Sequence, residues 1–269
     1  MENFVWTISH LMPYLDEIVD TDRIHIHQCL ASTNDSAKMM AKEGCPHGTV
    51  VLADKQTAGR GGFNRSFYSP EGTGLYMSIV LEADKLGLDQ VTLLTPLVAV
   101  ITSRVIHNIT GRECGIKWVN DLFIGDKKIC GILTEGVMDG NVISKLIVGI
   151  GINISTDSFP DELENIAGAL ISEDKDFDCG NLRNEIAASL INELTKENVF
   201  EVYESLMEEY RGKQILIDKV VTVLDAKENY TAKVLGVDSK GRLQVERVEG
   251  NRAGKIEILN SGEVSIRRN

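Results

Sequence analysis

Two lysines stand where an apolar hairpin would not want them. In "GIKWVNDLFIGDKKICGILTEG" (115–136), Ile116, Trp118, Leu122, Phe123, Ile124, Ile129, Ile132 and Leu133 are apolar, and Gly125 and Asp126 supply a turn. Lys117 interrupts the first apolar run and Lys128 opens the second. An ammonium turned toward a core is costly unless something negative meets it. Either both stems snorkel to water or an anion binds between them. Asn120 and Asp121 lie between the lysines, and Gly131 removes a side chain where backbone would meet a bound molecule. Two ammonium groups on adjacent strands, with an amide and a carboxylate between them, suit a phosphate and a carboxylate brought together.

Three other stretches have ligand-binding chemistry, each with a plainer reading beside it. In "AGRGGFNRSFYSPEG" (58–72), Gly59, Gly61 and Gly62 free the backbone and Arg60 and Arg65 add positive charge, as an anion cradle would, or as a flexible surface turn would. It is not a Walker A loop, because Asn64 and Arg65 stand where Gly-Lys is required. "VGIGINIS" (148–155) has Ile154 where a dinucleotide fingerprint needs its third glycine, and no helix start follows. Its glycines then let a strand pass close to a ligand, with Asn153 as a polar contact, or mark a plain core strand. Ser32, Thr33 and Asn34 are a helix cap, or three small polar groups offered to a ligand, which Gln56 would join.

The elements that must position these groups follow from periodicity and punctuation. A strand is expected over 22–30, a helix over 31–44 with cap residues at 32–35 and a stop at Gly44, and a strand over 49–56. Residues 74–82 alternate as a half-buried strand, and 89–110 fit a core helix ended by Gly111. After the hairpin, Asp139 and Gly140 turn the chain into a long strand over 142–155. An acidic, irregular stretch at 156–180, whose cluster at 161–178 reads as a solvated, mobile surface, precedes helices at about 181–196 and 198–211. Beyond Gly212 only short strands and turns remain. The expected architecture is α+β: a mixed β-sheet packed with helices over 1–212, then a small all-β barrel over 213–269.

Composition narrows the class. The chain has 269 residues and a net charge of −12, so no basic surplus exists for gripping nucleic-acid backbone. Its five cysteines are scattered without zinc-knuckle or redox spacing, and His25 and His27 lack a third metal ligand. The N-terminus has no basic n-region, and the apolar stretch 91–106 is broken by Thr92, Thr95, Thr102, Ser103 and Arg104, so neither a signal peptide nor a membrane span is expected. A reducing cytoplasm is the expected location.

In this order, "STN…QTAGRGGFNRSFYSPEGTGLYMSIVL…KWVNDLFIGDKKICGILTEG…VGIGINI", closed by "SGEVSIR", resembles the bacterial biotin–protein ligases over about residues 25–269. The resemblance implies a class II synthetase-like catalytic fold followed by an SH3-like domain. It implies that Ser32, Thr33, Asn34 and Gln56 line the biotin ureido pocket and that Arg60, Gly61 and Gly62 belong to the loop that folds over biotin and its adenylate. Lys128, with Gly131 beside it, then meets the biotin carboxylate and α-phosphate. Lys117, Asn120 and Asp121 match the KWxND motif at the nucleotide site. Arg65, Asn153 and Arg267 match ATP-contacting positions. Biotin and ATP are the implied substrates, with Mg2+, and the product is biotin attached to a lysine of a biotin carboxyl carrier protein. Homodimers through the sheet are common in the family; no nucleic acid or membrane partner is implied.

Departures from the family pattern are Gly62, where arginine is usual, and Val119, where proline is usual and a strand is expected to tolerate valine. The missing guanidinium at position 62 predicts readier release of biotinyl-AMP. Only about two dozen residues precede the match, which leads us to expect a ligase without a DNA-binding domain. Lipoate–protein ligase is the sister alternative, requiring a longer, more apolar pocket. A non-catalytic biotin sensor is the other, and it would have lost the hairpin lysines.

Overall fold

The long helix that the sequence places over 89–110 forms as α2 (Leu88–Thr110) and organises the core. Gly111 ends it with φ of 69°, a left-handed conformation open to glycine at little cost, its N–H donating to His107 O at 2.7 Å. The structure is a computed structural model describing residues 5–62, 65–83, 86–171, 177–196, 203–224, 228–260 and 263–266. By length and composition α2 could cross a membrane, but 67% of that window is buried inside the fold, so here it is a core helix.

Seven strands make one mixed sheet: β1 (Ile24–Leu30), β2 (Thr49–Gln56), β3 (Gly74–Glu82), β4 (Gly115–Lys117), β5 (Asp121–Ile124), β6 (Lys127–Asp139) and β7 (Val142–Asn153). Their order is β1-β2-β3-β7-β6-β5-β4; β1 and β2 run parallel and the other neighbours antiparallel. Side chains alternate between faces. One face carries Ile24, Val50, Leu52, Leu75, Met77, Ile79, Leu81, Ile116, Leu122, Ile132, Ile150 and Ile152, buried in one core with α2 and with α4 (Cys179–Leu194) and α5 (Tyr203–Gly212). On the other face α1 (Thr33–Lys42) lays Ala37 and Ala41 on Val51, Val80, Val137 and Ile147, and covers only part of it. Strand β3 is therefore buried on both faces rather than half-buried, because Tyr76, Ser78 and Val80 lie under α1 and the cleft beside it.

The second unit is a five-stranded antiparallel sheet of β8 (Val220–Leu224), β9 (Tyr230–Val237), β10 (Leu243–Arg247), β11 (Ile256–Leu259) and β12 (Glu263–Ile266), ordered β11-β10-β9-β8-β12. Its inward Val221, Val223, Val234, Leu243, Val245 and Val264 are continuous with the main core. The join is hydrogen-bonded: Ile116 N–H donates to Lys213 O (2.7 Å) and Ile215 N–H to Ile116 O (3.0 Å). Trp118 Nε1 donates to Gly241 O at 2.9 Å, and Tyr210 Oη donates to Val119 O at 2.9 Å. Val119 thus sits in the turn between β4 and β5, not in a strand, and the Trp118–Val119 peptide is cis.

Candidate active site

Register brings one row of residues across the face that α1 leaves open. Lys117 pairs with Asp121, Asp121 with Gly131, Gly131 with Gly151, and Gly151 with Tyr76. The middle of the row is two glycines, so backbone forms the floor of a cleft of about 1180 Å3. From β3 to β5 the floor spans three strand spacings, about 14 Å.

Lys128 reaches this floor through a bulge. Leu122 opposes Cys130 and Phe123 opposes Lys128, leaving Ile129 as the extra residue on β6. Residues 128 and 131 differ by three and would point to opposite faces of a regular strand; the extra residue puts both on the cleft face. Lys128 Nζ makes a 2.6 Å ion pair with Asp121 Oδ1 and lies 3.2 Å from where a Cβ on Gly131 would stand. The two lysines are therefore not on adjacent strands: β4 and β6 flank β5, and Asp121 stands between them. Asn120 Nδ2 donates to Ile132 O, locking the turn against β6.

Over β3 and β7 the start of α1 supplies a compact polar cluster. Ser32 caps the helix, its Oγ accepting from Asp35 N–H at 3.4 Å. Gln56 Oε1 accepts from Thr33 N–H (2.8 Å) and Oγ1 (3.2 Å), while its Nε2 donates to Ser69 Oγ (2.8 Å). Buried Ser78 lies 2.8 Å from Thr33 Oγ1 and 2.6 Å from Asn34 Oδ1. The glycines of β7 serve these side chains, which the sequence did not disclose: a Cβ at Gly149 would stand 2.0 Å from Asn34 Oδ1, and one at Gly151 would stand 2.6 Å from the Phe67 ring.

The glycine-rich loop closes on itself as a small hairpin, with Arg60 bridged to Ser66. Gly61 N–H donates to Arg65 O (2.7 Å) and Phe67 N–H to Gly59 O (2.8 Å), so these amides are already used. Arg60 points to two carboxylates, Asp35 Oδ1 at 2.6 Å and Glu135 Oε1 at 3.1 Å. The hydrogen bond to Asp35 is the largest influence holding its guanidinium pKa above the ordinary value. The Phe67 ring lies over the glycine floor, edge-on to Tyr76 at 6.4 Å between centroids.

Every predicted site residue within the described chain lines this one cleft: Ser32, Thr33, Asn34, Gln56, Arg60, Gly61, Gly62, Arg65, Lys117, Asn120, Asp121, Lys128, Gly131 and Asn153. Arg267 lies outside the described residues; β12 brings Val264 and Ser265 to the rim. Asn153 donates from Nδ2 to Gly168 O (3.0 Å), and its Oδ1 is buried without a hydrogen-bond partner among the described residues.

One wall was missed. In the acidic stretch, Phe159, Glu162, Leu163, Asn165, Ile166 and Ala167 line the cleft. Lys128 N–H donates to Ile166 O and Gly168 N–H to Lys128 O, so the segment runs beside β6. Buried Leu170 and Ile171 anchor it. The signal was present as the apolar residues of "NIAGALI" inside a charged surround. Five residues of that stretch, 172–176, lie outside the described chain. Among the described residues, no three His, Cys, Asp or Glu side chains converge as a metal site.

Two family models match. Residues 26–153 match the Biotin/lipoate A/B protein ligase family, and residues 216–267 match the Biotin protein ligase C terminal domain. The bifunctional ligase/repressor BirA of Bacillus subtilis is 43% identical over 146 residues, 54% of this chain and 45% of that protein. The chain thus matches about half the length of this relative. The biotin–acetyl-CoA-carboxylase ligase of Mycobacterium tuberculosis is 24% identical over 87% of this chain and 85% of its own. Among solved structures, the biotin protein ligase from Aquifex aeolicus in complex with biotin and ATP superposes with a TM-score of 0.67 at 28% identity, covering 91% of this chain and 99% of that one.

Proposed function

Because the chain belongs to the biotin/lipoate A/B protein ligase family and also carries the biotin protein ligase C-terminal domain, we propose that it activates biotin as biotinyl-5'-AMP and transfers it to a lysine of a biotin carboxyl carrier domain. The observation that carries this reading is the division of one cleft. A cluster of amide and hydroxyl groups (Thr33, Asn34, Gln56, Ser78) lies at one end and the Lys117–Asp121–Lys128 charges at the other, with a glycine floor between. A ureido ring needs donors and acceptors together, which the first end offers. A carboxylate meeting an α-phosphate needs concentrated positive charge, which the second offers.

In the first half-reaction the biotin carboxylate oxygen attacks the α-phosphorus and pyrophosphate leaves. Lys128, held by Asp121, faces the charge that builds on the phosphoryl oxygens, and Lys117 adds a second positive charge across β5. Asn153 and Arg65 belong to the nucleotide end of the cleft; Arg267, which the family pattern groups with them, lies outside the described residues. In the second, the carrier lysine amine, having lost a proton, attacks the anhydride carbonyl; the carbonyl–oxygen bond breaks, AMP leaves, and an amide remains. The donor set fits a magnesium ion that arrives with ATP, since such an ion keeps mostly phosphate and water ligands and needs only one or two carboxylates. Asp121, Asp126 and Glu162 line the cleft and would supply them; the ion would neutralise the triphosphate.

We assign activation to residues 1–212 and an SH3-like accessory role to 213–269. A cytoplasmic location, a role without nucleic acid or membrane, and a homodimer using the sheet complete the proposal; the net charge of −12 supports the absence of nucleic acid. The test is biotin-dependent exchange of labelled pyrophosphate into ATP without any carrier, run beside lipoate. Exchange with biotin supports the reading. Exchange with lipoate alone moves the protein to the sister activity, and biotin binding without exchange makes it a sensor.

A further inference from the structure

Glu135 does not line the cleft, yet from β6 it touches two further elements that build it, α1 and the glycine-rich loop. Its side chain is only 15% exposed, and its oxygens are divided between two tasks. Oε2 accepts from Asn34 Nδ2 at 2.9 Å, fixing the amide at the polar end of the cleft. Oε1 takes Arg60 of the glycine-rich loop at 3.1 Å, with Lys38 Nζ at 3.3 Å. Arg60 gives its other guanidinium nitrogen to Asp35 at 2.6 Å. The hairpin bonds of the loop, Gly61 to Arg65 and Phe67 to Gly59, are internal to it. Arg60 ties the loop to α1 and β6 by ion pairs, and Phe67 packs it on the glycine floor.

We propose that Glu135 is a positioning residue of this site: one carboxylate holds both the amide that seats the substrate head and the arginine that keeps the loop down, coupling occupancy of the seat to closure of the loop. The coupling rests on the adenylation reading above. It has a separable chemistry. Glutamine at 135 keeps one carbonyl oxygen to accept from Asn34, but its amide NH2 cannot accept from a guanidinium. Alanine removes both contacts.

The experiment compares native protein, Glu135→Gln, Glu135→Ala, Arg60→Ala and the Arg60→Ala/Glu135→Gln double variant. Three readouts are taken: biotin affinity, dissociation of biotinyl-AMP, and trypsin cleavage after Arg65 in the ligand-free protein. Glu135→Gln is expected to hold biotin affinity within about twofold while releasing the adenylate about three- to tenfold faster, the range for losing a partly exposed charge-assisted hydrogen bond. Cleavage at Arg65 should accelerate alongside. Arg60→Ala, which gives up the Asp35 pair as well, should release the adenylate at least as fast, and the double variant should match Arg60→Ala rather than exceed it. Glu135→Ala should lose biotin affinity as well. Native-like release and cleavage in Glu135→Gln, a biotin loss equal to that of Glu135→Ala, or additivity with Arg60→Ala would each overturn the inference. Native protein that forms no adenylate would overturn the underlying reading instead, and cleavage at Arg65 would still report the Glu135–Arg60 tie by itself.

Discussion

Lys128 Nζ lies 2.6 Å from Asp121 Oδ1, across a strand pair whose bulge at Ile129 turns the lysine onto the cleft face. The carboxylate answers the cost of a half-buried ammonium in the ligand-free protein and holds it where an anion would arrive. Lys128→Ala should therefore cut biotin-dependent pyrophosphate exchange by about 10²–10³-fold, the scale of losing one preorganised charge at a developing anion. Asp121→Asn should cost less, since the ammonium remains but is no longer held. Because 28% of the Lys128 side chain is exposed, melting should move little in Lys128→Ala. Near-native exchange by that variant would remove the lysine from the mechanism.

The glycine floor gives a prediction that separates folding from binding. A Cβ at Gly149 would meet Asn34 Oδ1 at 2.0 Å, so Gly149→Ala must displace the residue at the heart of the polar cluster. At Gly131 the Cβ would meet the flexible end of Lys128 at 3.2 Å, which can swing away. Gly149→Ala should lower stability by about 1–3 kcal/mol through overpacking and weaken biotin binding. Gly131→Ala should leave the melting temperature near native and reduce the exchange rate. Calorimetry with titration of biotin distinguishes them; equal melting shifts would show that both glycines serve packing alone.

How far such features were legible in the sequence depended on their range. Helix α1 could be read because its cap and stop are local: Ser32 accepts from Asp35, and Gly44 takes φ of 88°. The cleft residues could be gathered because their linked motifs resemble a known family. Register was not local. Nothing in "GDKKICG" announces that Ile129 is a bulge, and nothing in "KWVND" announces the turn at 118–120 that splits the first apolar run into β4 and β5 and so puts β5 between Lys117 and Lys128. The purpose of Gly149 and Gly151 was hidden for the same reason: Asn34 and Phe67 reach them across the fold. The wall at 159–167 was masked by its charge, although its apolar residues follow from burial of Leu170 and Ile171.

Position 62 offers open space. Among the described residues a Cβ there would have no neighbour within 4 Å, and the residue lines the cleft. Gly62→Arg should fold normally and slow biotinyl-AMP dissociation by about tenfold, as a charge-assisted contact to a phosphate would. Stopped-flow release of the adenylate from native and variant protein measures this; equal rates would mean that the glycine is neutral.

The thiols should divide by burial. Burial pushes Cys114 up to about 12, and burial likewise raises Cys130, next to the site, well above an ordinary thiol. Both stay neutral and unreactive at pH 8, whereas Cys29 and Cys179 are exposed. Because the folded values are raised, their stabilising contribution is complete below the unfolded thiol pKa of about 8.5 and declines as pH climbs above it. Brief alkylation at pH 8 should modify Cys29 and Cys179, spare Cys114 and Cys130 until denaturation, and leave pyrophosphate exchange intact. Inactivation tracking alkylation of Cys130 would contradict the burial argument.

Opposite the cleft, Arg183 on α4 pairs with Asp54 on β2, both nearly inaccessible, and its guanidinium lies 4.1 Å from the centroid of the Trp6 ring. Trp6 Nε1 donates to Asn184 Oδ1 at 2.7 Å, so one cation joins strand, helix and N-terminal segment. Removing the carboxylate breaks a buried ion pair, which costs about 3–5 kcal/mol, whereas replacing both partners by apolar groups of similar volume is often near neutral. Asp54→Ala should therefore lower the denaturation midpoint sharply, and Asp54→Leu/Arg183→Met should recover most of the loss. Biotin affinity of the folded fraction should remain native in both, because Val50, Leu52 and Asp54 lie on the face away from the glycine floor. A double variant as unstable as Asp54→Ala would show that the pair itself, rather than the cost of removing one partner alone, stabilises this corner.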